Sequence, residues 1–311
     1  MLPIHRPKTV YSGLASLPSG RASDRIVEGC LILEGGGWKG LYTLGVIDAM
    51  MTHGVNLRSC VGISAGGLAG LNYLSGQIGW SVRIDLQYRH DPEYCGLGAL
   101  RRDHGITGFS YLFHDIARDY PLDMKRLRDP ARRLAVGATN LLTGEIEYFE
   151  KGKCDIFQAC RASATVPFAS RPVTIGGVPY LDGGCAEKIP LSWEGAREAE
   201  KKVVVLTREV EFRRKPGLPG AAKRLYRRYP NFVATMERVN GEFNDTVDEL
   251  ERQAAAGEIL LLAPSEPVTV SRFDGDMEKL GALYWLGWND TQARMPELLT
   301  YLEIEDGAAE K

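Results

Sequence analysis

The 311-residue chain reads as an α/β protein with a mainly parallel sheet covered by helices on both faces. Three observations predict this. Short apolar runs without polar alternation, such as residues 30–34 and 203–207, mark strands buried on both faces. Segments with helical spacing alternate with them: Leu41, Leu44, Ile47 and Met51 form an apolar stripe along residues 41–53, closed by Gly54. Turn-forming glycines punctuate the switches between the two patterns. With 44% hydrophobic and 25% charged residues, the composition is that of a globular protein able to fill a large core.

The elements follow in order. Residues 1–27, rich in Pro, Ser and Gly, predict a segment that wraps the surface, and residues 28–311 a single domain. The strand at 30–34 and the helix at 41–53 are followed by a strand over 57–61 and a helix over 65–74. Residues 90–108, interrupted by Gly and Pro, predict a mobile loop. Strands at 133–140 and 145–149 turn at Thr143-Gly144, and strands at 172–175 and 178–181 turn at Gly176-Gly177. Residues 208–311 predict a mostly helical extension. It runs from a basic, Pro/Gly-broken stretch through helices to about residue 256, then a core strand in "EILLLAPS" and a helix around 276–287. That strand needs a sheet to join, so the extension reads as an elaboration of the same domain.

Net charge is −2, so any contact with anionic membrane must be local, and no nucleic-acid partner is expected. One local candidate is the stretch 208–228, with eight Lys/Arg against two Glu. It is either a solvated basic face or a docking patch for anionic lipid. Cys30, Cys60, Cys95, Cys154, Cys160 and Cys185 form no C-x-x-C pair and read as buried free thiols of a reducing compartment. The first twenty residues lack the apolar core of a signal peptide, and no apolar run approaches the ~20 residues of a membrane span. The expected location is cytoplasmic, at most peripheral at a membrane.

The chemistry concentrates in three short motifs. "LILEGGGWKGLYTLGV" joins a strand to a helix through Gly35, Gly36, Gly37 and Gly40, whose bare amides suit either a pyrophosphate or an oxyanion. A dinucleotide site would need an acidic residue about 20 positions on, yet none lies between Asp48 and Asp85. The loop is not a P-loop either, because Gly40 rather than Ser or Thr follows Lys39. The second strand ends instead in "GISAG", a G-x-S-x-G turn with Gly62 and Gly66 flanking Ser64. Ser64 is thus either a nucleophile lifted out of the sheet or the N-cap of the next helix. No histidine follows His114, so the late histidine of an α/β-hydrolase triad does not exist. His53 and His114 read as helix-surface or helix-end residues, His90 and His104 as loop residues. If a side chain activates Ser64, a carboxylate must be considered, and Asp182, before Gly183 and Gly184, could approach a hydroxyl; taken alone it reads as an ordinary Asp-Gly turn.

Strand–"GGGWKG"–helix, then "GISAG", then "DGG" more than a hundred residues later resembles the patatin-like phospholipases. "GATNLLTGEIEYF", "CRASATVPFASRPVTIGG" and "VVVLTR" extend the resemblance to the bacterial cytosolic branch over about residues 30–290. The resemblance implies a three-layer α/β/α fold and a lipid acyl ester hydrolase. By carry-over it makes Ser64 the nucleophile, Asp182 the base and the amides of Gly35, Gly36 and Gly37 the oxyanion hole, with no metal or nucleotide cofactor. Lys39 stands where the family usually has Arg, which keeps the charge but not a bidentate fork. A cation in the first turn of a helix opposes the helix dipole; Glu34 or another carboxylate offsets it, or it faces an anionic headgroup. The alternatives from other classes are a dinucleotide-binding protein and a catalytically silent lipid-binding or regulatory protein of the same fold. Headgroup, chain length and oligomeric state are not encoded in these motifs.

Overall fold

A computed structural model describes residues 10–304 apart from Pro219, Arg272 and Phe273; residues 1–9 of the expected surface segment lie outside the described residues. The strands that organise the molecule are β1 (Val27–Leu33), β2 (Leu57–Ile63), β3 (Arg133–Asn140), β4 (Ile146–Glu150), β5 (Val173–Ile175), β6 (Val178–Asp182), β7 (Lys202–Val205) and β8 (Leu260–Leu262). They form one eight-stranded sheet in the order β8-β7-β1-β2-β3-β6-β5, with β4 on the other edge of β3. The pairings from β8 to β3 are parallel. Those of β3 with β4 and β6, and of β5 with β6, are antiparallel.

Both faces of the central strands are covered. Leu31, Leu33, Val203 and Val205 pack with one set of helices, while Cys30, Ile32 and Val204 pack into a second cluster on the opposite face. This is the period of two expected when a strand is buried on both sides. The first layer contains α1 (Gly40–Thr52), α2 (Ala65–Ser75), α3 (Trp80–Tyr88) and residues of the late helix 277–293; the second contains Phe243, Val247 and Leu250 of helix 230–255. The result is the three-layer α/β/α arrangement.

Further along the chain come α4 (Leu97–Asp103), α5 (Ile156–Ser163), α6 (Gly220–Leu225), α7 (Pro230–Ala255) and α8 (Met277–Ala293). Three features of the fold differ from expectation. Residues 90–108 are not a structureless loop: they contain α4, and Cys95 bridges Thr107. The glycines there allow close packing, since a Cβ on Gly108 would collide with the Glu93 carbonyl oxygen and one on Gly105 would lie 2.7 Å from Ser170 Oγ. The helix α1 is buried from Gly40 to Met51 rather than along one stripe. The cause is α8, distant in sequence, which crosses α1 where Gly45 and Gly287 let the backbones meet. The strand in "EILLLAPS" is buried but lies at the sheet edge, beside β7.

Burying α1 on all sides also buries Asp48. Its carboxylate accepts from the Gly79 amide (3.0 Å) and the Tyr284 hydroxyl (2.9 Å). Burial outweighs these bonds and pushes its pKa up to about 7. Before β1, the described part of the N-terminal segment lies over α3 and α8. Arg83 donates to the carbonyls of Leu14, Leu17 and Pro18, and the Trp285 indole donates to the Tyr11 hydroxyl.

Candidate active site

Ser64 occupies the sharp turn between β2 and α2, at φ 56 and ψ −121. A non-glycine residue there stores roughly 1–3 kcal/mol of backbone strain that the surroundings must hold in place. Gly62 and Gly66 make the turn possible: a Cβ on Gly62 would collide with Gly66, and one on Gly66 would lie 2.5 Å from the Leu33 carbonyl oxygen. The Ser64 amide donates to Ser163 Oγ (2.8 Å), which in turn donates to the Gly137 carbonyl (2.6 Å). The Ser64 side chain does not cap α2. Its Oγ donates instead to Asp182 Oδ2 at 2.8 Å.

The register of β3 explains how residues so far apart in sequence meet. β2 pairs with β3 up to Ile63 opposite Gly137, and β6 begins pairing at Asp182 opposite Ala138. Because β4 occupies the other edge over Ala135 to Thr139, β2 and β6 must share one edge of β3, end to end. Ser64, one residue beyond Ile63, therefore abuts Asp182. The Asp182 backbone is pinned by Thr165, whose carbonyl accepts its amide (2.9 Å), and by the Thr139 hydroxyl on its carbonyl (2.8 Å). Asp182 Oδ1 accepts the Gly184 amide at 2.8 Å. The Asp-Gly turn and the serine partner are thus the two oxygens of one carboxylate. Gly183 is small because a Cβ there would collide with the Gly137 carbonyl oxygen.

The glycine loop stands beside the pair. Gly37 adopts φ 56 and opens the short 3-10 turn Gly37–Lys39 that runs into α1, where Gly40 lets Ala65 approach closely. Of the three glycines expected to form an oxyanion hole, Gly35 donates its amide to the Lys188 carbonyl (3.3 Å), which sets it apart from Gly36 and Gly37. Glu34 is fully buried beneath the loop. Its carboxylate accepts from the Thr207 amide (2.7 Å) and hydroxyl (2.9 Å) and is ion-paired with Arg214 at 3.3 Å. Lys39 is also buried, in the wall of a cavity beside the glycine loop.

Two cavities flank Ser64. One, of about 280 Å³, is lined by Gly35–Gly37, Lys39, Asp182, Lys188 and Arg214, with Phe168 and Leu218 also in its wall. The other, of about 110 Å³, is walled largely by Trp38, Ala65, Leu68, Tyr94, Phe109 and Val166. A nucleotide reading would need a carboxylate at the end of β2; the structure places Ser64 there.

A family model described as patatin-like phospholipase matches residues 31–192, more than half of the chain. The chain belongs to the patatin-like phospholipase family. A second model, described as a domain of unknown function (DUF6363), matches residues 229–303. Among curated relatives, the uncharacterized protein YjjU of Escherichia coli is 29% identical over 57% of this chain and 50% of its own length. An uncharacterized NTE family protein of Mycobacterium tuberculosis, Rv1063c, is 27% identical over 56% of this chain and 46% of its own. The lysophospholipase NTE1 of Meyerozyma guilliermondii is 24% identical over 57% of this chain but 12% of its own. The chain thus spans about half the length, or less, of these relatives. Among solved structures, VipD from Legionella pneumophila matches with a TM-score of 0.43 and 15% identity, covering 93% of this chain and 70% of that one.

Other expected residues lie apart from the site. His53 meets Gln292 and His90 meets the Gly275 carbonyl, each at 2.7 Å. His104 sits at the end of α4, and His114 lies in the π-helical turn Tyr111–Ile116. None of the described histidines lines either cavity at Ser64. All six cysteines are free, but Cys95 and Cys154 are only half-buried, contrary to expectation. The basic stretch is not one uniform face. Arg213 pairs with Asp248 and Glu251, Arg214 with Glu34 and Lys223 with Glu237, while Arg224, Arg227 and Arg228 are exposed around Leu225. Sequence reasoning missed Ser163 and Lys188. The first is an ordinary serine at a helix end, and the second lies six residues past Asp182 with no motif of its own.

Among the described residues no helix is long and apolar enough to cross a membrane.

Proposed function

We propose that the chain is a serine acyl hydrolase that cleaves lipid acyl esters of the phospholipid or lysophospholipid class. The observation that carries this reading is the 2.8 Å hydrogen bond from Ser64 Oγ to Asp182 Oδ2, made at a strained turn between two cavities. Serine needs a base to become a useful nucleophile, and a carboxylate accepting its proton supplies one. Ser64 Oγ adds to the ester carbonyl carbon while its proton passes to Asp182. The carbonyl oxygen becomes an oxyanion facing the amides of Gly36 and Gly37, donors of a kind worth about 3–4 kcal/mol each. Collapse breaks the ester C–O bond, and the proton moves from Asp182 to the departing alcohol, leaving acyl-Ser64. Water then adds to the acyl carbonyl and gives a proton to Asp182. The second collapse releases the carboxylic acid and returns that proton to Ser64.

The two cavities support the substrate class. The acyl group has an apolar chamber on one side. On the other, Lys39 and Lys188, with Arg214 ion-paired to Glu34, line the cavity, and these donors suit the phosphate-bearing alcohol of the leaving group. Peripheral contact with anionic membrane belongs to the same reading. It runs through the exposed part of residues 208–228, next to Phe168, whose ring meets Tyr226 and which is 56% exposed while lining the cavity.

The test is turnover of a lysophospholipid. Ser64→Ala and Asp182→Asn are each expected to lower kcat by about a thousandfold or more, because the pair acts as a unit. Gln in place of His53, His90, His104 or His114 is expected to leave most activity. A folded histidine variant that abolishes turnover, or an Asp182→Asn variant that retains it, overturns the dyad.

A further inference from the structure

The helix α4 is built inside out. A surface helix of a globular protein turns its large apolar side chains to the core and its polar ones to solvent. α4 instead buries Gly98, Ala99 and Asp103, while Leu97 is 68% exposed and Leu100 44%. The buried face has its partners: a Cβ on Gly98 would collide with the Glu93 side chain, and the Asp103 carboxylate accepts the Ser110 amide (3.0 Å) and pairs with Arg161 (3.2 Å). Leu97, Leu100 and the exposed Arg101 stand three and four positions apart and so share the outward face. This face lies at the rim of the site. Cys95, Ile106 and Thr107, which flank α4 in sequence, line the chamber beside Ser64. The end of α4 is fastened to the segment 161–171: Arg161 pairs with Asp103, Gly105 bridges Ser170, and the Arg171 amide donates to the His104 carbonyl (2.9 Å). Within that segment, Ser163 and Thr165 hold the backbones of Ser64 and Asp182.

We propose that α4 is a membrane-inserting element: Leu97 and Leu100 enter the surface of a phospholipid bilayer, with Arg101 among its anionic headgroups, and so bring the chamber at Ser64 against lipid. The assignment rests on the hydrolase reading only for lipid being what the site receives; the docking face is read from α4 itself. Size favours a bilayer over a protein as the partner. A stable protein interface buries roughly 800 Å² on each side, and two leucines on a helix of seven residues supply far less. A leucine entering acyl chains needs no complementary contour, and exposed apolar side chains rimmed by basic ones suit an anionic lipid surface. α4 is separable from the basic stretch 208–228 by physical signature. Contacts made by charge weaken with salt, whereas burial of leucine does not.

The experiment is cosedimentation of the full chain with vesicles of phosphatidylcholine and phosphatidylglycerol at low and high salt. The double variant Leu97→Ser, Leu100→Ser is expected to lower the partition coefficient about tenfold or more at both salt levels. Arg101→Glu is expected to lower it severalfold at low salt alone. Leu97→Trp is expected to be quenched by vesicles with brominated acyl chains, beyond the quenching of the five native tryptophans. Hydrolysis of the soluble ester p-nitrophenyl butyrate should stay within twofold in all three, and its absence from the unaltered chain would count against the hydrolase reading, not against the docking face. Partition of the folded double variant within twofold of the unaltered chain, or no added quenching in Leu97→Trp, overturns the proposal and leaves the basic stretch as the contact. An unaltered chain that binds no vesicles overturns both docking faces. A concentration-dependent dimer in sedimentation equilibrium that the double variant loses, with vesicle binding kept, assigns the face to a second copy and also overturns it. Should the double variant show no cooperative melting transition, Leu97→Gln carries the comparison, with a severalfold loss expected and an unchanged partition overturning.

Discussion

The two sides of Ser64 are built from different materials. One wall carries three cationic side chains, two from the segments after the glycine turn and after β6 and one from the long connection between β7 and α6. The other is walled largely by aromatic and aliphatic residues from α1, α2 and the segments around α4 and the π-helical turn. A carbonyl held at Ser64 therefore lies on a boundary between charge and oil. The contrast teaches where specificity resides: the shared turn fixes the chemistry, and the two walls sort the alcohol from the acyl chain.

Reversing charge on the exposed part of the basic stretch gives the largest change in membrane binding. With Arg224, Arg227 and Arg228 each replaced by Glu, binding to vesicles containing anionic lipid should fall by about a hundredfold or more, since each basic residue near such a surface contributes ~1 kcal/mol. Sedimentation with vesicles at low and high salt measures it. Unchanged binding would show that the polar side does not extend beyond its cavity.

A smaller change tests the polar wall itself. Lys188 donates from Nζ to the Gly184 carbonyl (2.7 Å) and lines the cavity. Lys188→Met should lower kcat/KM for an anionic lysophospholipid about tenfold relative to a neutral monoacylglycerol, the scale of one charge-assisted hydrogen bond. Equal losses on both substrates would assign Lys188 to the scaffold and weaken the contrast.

A change in stability rather than in binding or turnover concerns the scaffold behind the apolar side. Asp48 keeps its proton in the folded protein to about pH 7, whereas an ordinary Asp releases it near 3.8. Between these values the folded state holds the extra proton, so stability should fall as pH rises from about 4 to about 7 and then level. The slope contributed by this one group is at most about 1.4 kcal/mol per pH unit. Chemical denaturation of the Asp48→Asn variant should show that component of the slope removed, and an unchanged slope would contradict the assignment.

Much of the polar chemistry was legible in the sequence because short-range backbone demands leave marks. The glycines around Ser64 and before α1 are required where backbone is closely approached, Gly62 by Gly66, Gly66 by Leu33 and Gly36 by Thr207, and such needs write G-x-S-x-G and Gly-Gly-Gly directly. The pairing of Ser64 with Asp182 depends on the register of β3, which no local pattern encodes; only the family's motif order suggested it. Ser163 stayed hidden because its role depends on meeting the Ser64 amide across 99 positions. The reading of residues 90–108 as a loop failed because glycine was taken as freedom, whereas here it permits close contact. The basic stretch looked uniform because the acidic partners of Arg213 and Arg214 lie at 34, 248 and 251, outside any window drawn around it.

The central claim, that Ser64 is a nucleophile activated by Asp182, is tested most directly by covalent labelling with a fluorophosphonate and peptide mapping of the adduct. The account predicts one adduct, on Ser64, whose rate of formation falls by orders of magnitude in Asp182→Asn while the melting transition is retained. An adduct on another serine, or undiminished labelling of Ser64 without Asp182, would contradict it.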